Sequence, residues 1–212
     1  MKKEITEQTF LNDVKDHKLE IINDTNDIIS LKFKRPNECY YHFEITTWEN
    51  HLCISGDMGT YVFKRVKNMF NFFRMDDYDF NYDKEKTLQI NPYYWHQKLV
   101  SQDVHSPAME FSTDLFQNRI KEILNDYCKE NDMDDEFKQS CLQEMEEDFL
   151  YSDNEHEARE GVERFNSYDE NIDEFAKFLK QDFWEEEFED YSIHFIWCLY
   201  AIVWGIKQYD NF

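Results

Sequence analysis

Apolar residues recur along this chain with two different periods, and the switch between them divides it. Thr6 can cap a short helix that carries Phe10, Leu11 and Val14 at helical spacing, with Glu7 in its first turn and an end near His17. Alternation then takes over. Ile29, Leu31 and Phe33 alternate with Ser30, Lys32 and Lys34, and Tyr41, Phe43 and Ile45 alternate with His42, Glu44 and Thr46, which predicts two half-buried strands. Pro36-Asn37 between them has turn chemistry, a preset φ followed by a residue tolerant of positive φ. Residues 51–55 and 60–65 read as two further strands, separated by turns at Glu49-Asn50 and Gly56-Asp57-Met58-Gly59, so the pattern predicts a four-stranded antiparallel meander. Val66, Met69, Phe70 and Phe73 then fall at i, i+3, i+4 and i+7, the spacing of a short helix packed on one face of that sheet.

Asn91-Pro92 opens a helix leading to Tyr94, Trp95 and Leu99. From residue 111 the period is helical throughout. Phe116, Ile120, Ile123, Leu124 and Tyr127 form one stripe, Phe137, Cys141, Met145 and Phe149 a second, and Ala158, Val162 and Phe165 a third. Ser167-x-x-Glu170 reads as a capping box for a helix that turns Ile172, Phe175, Ala176, Leu179 and Phe183 inward. Ser192 can cap the last helix, whose residues 195–206 are apolar nearly all round. Such a helix belongs at the centre of a bundle or beneath a sheet. Its twelve apolar residues fall short of the roughly 20 needed to span a bilayer. The expected class is therefore α+β: a four-stranded antiparallel meander with flanking helices over residues 1–100, followed by an acidic helical half over 111–212, as two units or one continuous fold.

Charge sharpens this division. Of 46 Asp and Glu against 23 Lys and Arg in 212 residues, 28 acids and only 9 bases fall in residues 111–212. A surface of that sign repels nucleic acid and anionic membranes, so a charged partner is expected to be basic. Acidic chains poor in aromatics are usually disordered. Here 19 Phe, 13 Tyr and 5 Trp supply enough apolar area for a packed core. The five cysteines, Cys39, Cys53, Cys128, Cys141 and Cys198, never stand as a Cys-x-x-Cys pair and read as free thiols of a reducing compartment. No apolar stretch follows Met1, so no signal peptide is expected.

Several motifs approach known chemistry and stop short of it. His42-x-Glu44 has the His-x-Glu of zinc deaminases but lacks the accompanying Pro-Cys-x-x-Cys. Asp77, Asp79, Asn81, Asp83 and Glu85 alternate like calcium-loop ligands, yet Tyr82 stands where the sharp turn needs Gly and Leu88 where a bidentate Glu is required; an edge strand or a packed aromatic loop accounts for them better. No phosphate-binding loop, nucleophile elbow or zinc-protease motif occurs in the sequence. No catalytic residue, metal or cofactor is thus expected. Asp57 between two glycines, with Trp48 and His51 at neighbouring strand ends, forms a candidate small polar pocket near the 55–60 turn. The remaining candidates are acidic clusters: Glu144, Glu146 and Glu147, and the denser group Asp182, Glu185, Glu186, Glu187, Glu189 and Asp190. These make either a solvated face that confers solubility or an acidic surface that fills the basic groove of a nucleic-acid-binding protein.

Four segments, HLCISGDMGTYVFKR at 51–65, FNFFR at 70–74, INPYYWHQKL at 90–99 and WCLYAIVWGIKQYD at 197–210, resemble a family of proteins encoded in bacteriophages and prophages. The resemblance implies a bacterial cytoplasm and an accessory role for the phage, and it transfers no catalytic residue. The expectation carried forward is an acidic interaction protein, more a nucleic-acid mimic than an enzyme, that binds and blocks a basic bacterial protein such as a defence factor. It would touch neither nucleic acid nor membrane directly. The alternative is an enzyme or small-ligand-binding protein with its site near the 55–60 turn.

Overall fold

A computed structural model describes residues 5–38, 40–74, 87–181 and 183–212. The chain divides into two compact units: residues 110–190 form one, and residues 2–109 together with 191–212 form the other.

The second of these is built on a sheet which, among the described residues, has six strands in sequential antiparallel order. They are β1 (Lys18–Asp24), β2 (Ile29–Lys34), β3 (Phe43–Trp48), β4 (His51–Gly56), β5 (Gly59–Lys64) and β6 (Leu99–Gln102). The four expected strands are the middle ones. The two additions are edges. In Lys18-Leu-Glu-Ile-Ile-Asn-Asp the apolar-polar alternation of residue types is interrupted by adjacent Ile21 and Ile22, where the pairing register also shifts, and a bulged, charged strand is a common way to blunt an edge. Leu99, expected in a helix, opens β6 instead, because the helix begun by Pro92 ends at His96.

Period-two burial puts Leu31, Phe33, Phe43, Ile45, Leu52, Ile54, Tyr61 and Phe63 on one face, each essentially inaccessible. The opposite face is polar and carries the Lys32–Glu44 pair, 2.5 Å apart, and a Ser30–Thr46 hydroxyl contact of 3.0 Å. Against the apolar face lie α1 (Glu7–Val14), α2 (Met69–Phe73), α3 (Pro92–His96) and the C-terminal helix Ile193–Asp210. Thr6 caps α1 through the backbone N–H of Thr9, and Asn91 caps α3 through that of Tyr94. Asn68 caps α2, which leaves Val66 outside the helix expected to include it. Pro36-Asn37 turns as expected, with Asn37 at φ 65°. Tyr41, expected in a strand, sits at φ 58° before β3 begins.

The C-terminal helix is the main departure from the pattern read in the sequence, because it belongs with the sheet and not with the helical residues that precede it. Trp197, Leu199, Ala201, Ile202 and Ile206 are fully buried among the sheet residues, and Trp197 and Trp204 meet Phe43 edge to face at 5.6 and 6.2 Å. A Cβ at Gly205 would stand 2.6 Å from Ile45 Cδ1, so glycine lets the helix approach the sheet closely. No helix among the described residues is long and apolar enough to cross a membrane.

Residues 110–190 fold as α4 (Thr113–Glu130), α5 (Asp135–Asp148), α6 (Glu155–Arg164) and α7 (Glu170–Lys180), followed by a single 3-10 turn, Phe183–Glu185. The apolar stripes read in the sequence pack together as one core, with Ile123 and Phe137 only partly buried, and Phe183, expected on the helix of Ile172 and Phe175, lies in the 3-10 turn because α7 ends at Lys180. Asp169, not Ser167, caps α7: its carboxylate accepts from the N–H groups of Asn171 and Ile172, while Ser167 accepts from Asp169. The chain enters this unit through β7 (Met109–Phe111) and leaves it through β8 (Glu189–Tyr191), which pair as a two-stranded ribbon. The C-terminal helix is α8 in chain order.

Burying one large apolar side chain contributes about 1.5–3 kcal/mol. The seven large apolar side chains among the buried positions of α8, Phe195, Trp197, Leu199, Tyr200, Ile202, Val203 and Ile206, therefore match the whole net stability of a typical domain, about 5–15 kcal/mol. Residues 1–109 alone should be unfolded. Because Ser192 N donates to Ala108 O across 2.9 Å, a chain lacking 110–190, with a short Gly-Ser link between Met109 and Tyr191, should fold. Circular dichroism and amide NMR dispersion of the two chains check this; equal order, or a folded 1–109, would contradict it.

Candidate functional site

The charge asymmetry follows the unit boundary more closely than it follows the halves of the sequence. Residues 110–190 hold 28 Asp and Glu against 8 Lys and Arg, and the rest of the chain 18 against 15. Eight cations cannot neutralise that many carboxylates. Five of them are engaged within the unit: Arg119 with Glu122 and Glu186, Lys129 with Asp126, Arg159 with Glu155, Arg164 with Glu160, and Lys177 with Asp173. Lys180 donates to the Phe165 carbonyl at 2.7 Å.

Two of these cations hold the 3-10 turn and the segment after it. Arg119 on α4 donates through Nε and Nη2 to Glu186 Oε1, at 2.9 and 2.6 Å. Arg159 on α6 donates to the Glu186 carbonyl at 2.7 Å, and its guanidinium lies 5.8 and 5.6 Å from the ring centres of Phe183 and Phe188. Both rings are buried against Phe116. Glu186 is therefore a structural carboxylate and not a free element of an interface.

Its neighbours fare differently. Glu185, Glu187, Glu189 and Asp190 are exposed, and so are Glu146 and Glu147 on α5. Glu146 accepts from the Tyr151 hydroxyl at 3.1 Å, which raises the Tyr151 pKa because the phenol proton is held by a carboxylate. Glu147 accepts from Gln143. Glu144 is half-buried and accepts from Ser167, so it too serves the fold. Asp182, the calcium-like residues Asp77, Asp79, Asn81, Asp83 and Glu85, and Cys39 lie outside the described residues. One exposed aromatic escaped sequence reasoning. Tyr168, in the turn before α7, is fully exposed within the acidic unit; an aromatic standing outside every apolar stripe was the available signal.

Trp48, His51 and Asp57 do not converge. Trp48 and His51 pair across the β3–β4 turn, whereas Asp57 lies in the β4–β5 turn at the far end of β4, roughly 20 Å away at about 3.3 Å per residue. Strand polarity separates what sequence proximity suggested. At its end, Asp57 accepts from His42 Nδ1 at 2.8 Å, and a Cβ at Gly56 would lie 2.2 Å from the His42 carbonyl oxygen, so the turn is tightly filled. Glu44 is taken by Lys32, so the His42-x-Glu44 pair splits between two partners. At the other end, Trp48 lines an open cleft of about 470 Å³. Among the described residues, no group of three or more His, Cys, Asp or Glu is arranged to hold a metal.

The buried thiols Cys128, Cys141 and Cys198 serve as packing. Burial pushes Cys141 up to about 12 and raises Cys198 further, so both stay protonated. His17 is a half-buried titratable group of the sheet unit. Its Nε2 donates to the Tyr41 carbonyl at 2.9 Å, while Nδ1, like Arg35 Nε, is buried without a protein partner. Desolvation lowers its pKa below the ordinary 6.5, opposed by the Tyr41 bond and reinforced by Arg35.

No family model matches this chain, and neither do any curated protein or solved structure.

Because Glu186 is held by Arg119 and Glu187 is exposed, Glu186→Lys should lower the stability of the 110–190 unit. The expected loss is about 1 kcal/mol, the low end for a charge-assisted bond because the pair is partly solvated. Glu187→Lys should stay within about 0.5 kcal/mol of the parent. Urea melts followed on the helical signal distinguish them; equal effects would contradict the assignment.

A depressed histidine pKa in the fold means that the unfolded chain takes up the proton first as pH falls. The stability associated with neutral His17 is thus complete above pH 6.5 and is lost as pH drops from 6.5 through the lower folded value. His17→Gln should remove this part of the pH dependence, so the stability difference between parent and variant shrinks as pH falls. Chemical melts at several pH values measure it, and a constant difference would contradict the account.

Proposed function

We propose that this protein is an acidic interaction protein whose 110–190 unit docks into a basic groove of a bacterial, nucleic-acid-binding protein and blocks it. One observation carries the reading: the excess acid is gathered on a separately packed unit while the rest of the chain is near neutral. A fold that needed its acid only for solubility would gain as much from an even distribution.

The docking carboxylates are the exposed Glu146 and Glu147 on α5 and Glu185, Glu187, Glu189 and Asp190 after α7. Carboxylates take the place of phosphates, steer the encounter and favour a partner built to hold a polyanion. Tyr168 adds an exposed aromatic of the kind that anchors interfaces. The resemblance to phage-encoded proteins supplies a setting for such a partner, a host enzyme or defence factor.

The test is capture of proteins from bacterial lysate on the immobilised chain at low and high salt, with duplex DNA as competitor. A basic nucleic-acid-binding protein should be retained at low salt, released by DNA and lost at high salt, because screening shortens the reach of the field. Charge reversal to Lys at Glu185, Glu187 and Glu189 should abolish retention without lowering the melting temperature. Recovery of no basic protein, or retention unchanged by charge reversal, would overturn the reading.

A further inference from the structure

The cleft beside Trp48 is formed by three turns at one end of the sheet, each locked by its own hydrogen bonds. In the β1–β2 turn, Thr25 exchanges backbone and hydroxyl bonds with Ile28 at 3.0–3.1 Å, and Asn23 Nδ2 donates to the Ile28 carbonyl at 2.7 Å, which fixes Asp27 at the rim. In the β3–β4 turn, Thr47 Oγ1 donates to the His51 carbonyl at 2.9 Å, and Asn50 takes φ 63°. The third wall, the segment leading into α2, is tied to this turn through Arg65 N to Asn50 O at 3.1 Å. It presents Lys67 and Asn68.

Trp48 is held as a plate. Its ring stacks on His51 with centroids 5.1 Å apart and planes 9° from parallel, and His51 Nδ1 in turn donates to the Glu49 carbonyl at 2.8 Å. One face of the indole is thus occupied, and the residue is still 37% exposed. An exposed tryptophan fixed by a second ring, in a cleft whose walls are already ordered, costs little further entropy when a ligand arrives.

The lining selects the ligand class. Volumes of about 300–1,000 Å³ accommodate small molecules, and about 470 Å³ is more than one partner side chain fills. Most such sites are mainly apolar; this one is mainly polar. Asp27 and Glu49 offer acceptors, Lys67 offers donors, and the Asn68 amide offers donors beside the oxygen that caps α2. Donors and acceptors in mixture suit hydroxyl groups, each of which is both at once. The carboxylates disfavour a phosphate, and Lys67 disfavours a cation. The electron-rich indole face attracts the polarised C–H groups of a sugar ring.

We propose that this cleft binds a neutral saccharide, its ring lying on Trp48 and its hydroxyls bridging Asp27, Glu49, Lys67 and Asn68. The site is independent of the acidic unit and of any macromolecular partner that unit takes.

Saturation-transfer NMR of the full chain with glucose, N-acetylglucosamine, maltose and chitobiose tests it, with AMP and arginine amide as probes of the two rejected charge classes. At least one sugar should give a saturable signal, weakened at least tenfold in apparent affinity by Trp48→Ala. Asp27→Asn and Glu49→Gln, at exposed turn positions that leave the fold intact, should weaken the same signal. A thermal melt of each variant verifies folding. The proposal is overturned if none of the four sugars binds, if binding survives all three substitutions, or if AMP or arginine amide binds at Trp48 in preference to every sugar.

Discussion

The burial of α8 beneath the β1–β6 sheet is the interaction on which the rest of the structure depends. The sheet has one apolar face, lined by Phe33, Phe43, Ile45, Leu52, Ile54 and Phe63, and the short helices α1, α2 and α3 cannot cover it alone. The covering element comes from the other end of the chain. Trp197 and Trp204 close on Phe43, Gly205 lets the helix approach Ile45, and the Trp197 indole N–H donates to Asp13 at 3.1 Å, which ties α1 into the same core. A sheet that must wait for the last twenty residues of its own chain keeps its two ends together. Everything between the crossings at residues 109 and 191 is then free to fold on its own hydrophobic centre.

This arrangement explains how one chain carries so much acid. Like charges on neighbouring helix turns cost a few tenths of a kcal/mol each, and a field of that strength around the sheet would oppose its closure. Within 110–190 the cost is met locally. Side-chain oxygens of Ser112, Asp134, Asn154 and Asp169 cap the four helix starts, where negative charge and acceptors favour the helix dipole. Arg119 and Arg159 neutralise the segment that would otherwise be most repulsive, and Phe116, Phe183 and Phe188 cluster beneath it. The proposed interface draws on carboxylates that stay exposed, Glu146 and Glu147 among them even though each also accepts a hydrogen bond from a neighbouring side chain.

Much of the architecture was legible in the sequence, because stripes such as Phe116, Ile120 and Leu124 report a helix face directly, and Ile29, Leu31 and Phe33 report a strand. What periodicity cannot report is which other element a face meets. The all-round apolarity of α8 is satisfied equally by a bundle centre or by a sheet, and only the tertiary contacts choose. Edges were missed for a related reason: β1 interrupts its apolar-polar alternation at adjacent Ile21 and Ile22, and β6 is four residues long. At the sites, residue type was visible but engagement was not. Glu186 reads like Glu187 until Arg119 is seen beside it. Trp48, His51 and Asp57 look adjacent until β4 separates them, after which Trp48 gains neighbours, Asp27 and Lys67, from distant turns.

Native-state hydrogen exchange, resolved by residue, tests most directly whether α8 and the sheet are one cooperative body. Groups that open only on global unfolding share a single, highest free energy of exchange. The amides of α8 from Leu199 to Ile206 should share that value with those of β3 and β4, and the amides of α4 to α7 should form a separate set with its own denaturant dependence. Exchange of α8 together with α4 to α7, or well ahead of β3 and β4, would contradict the account.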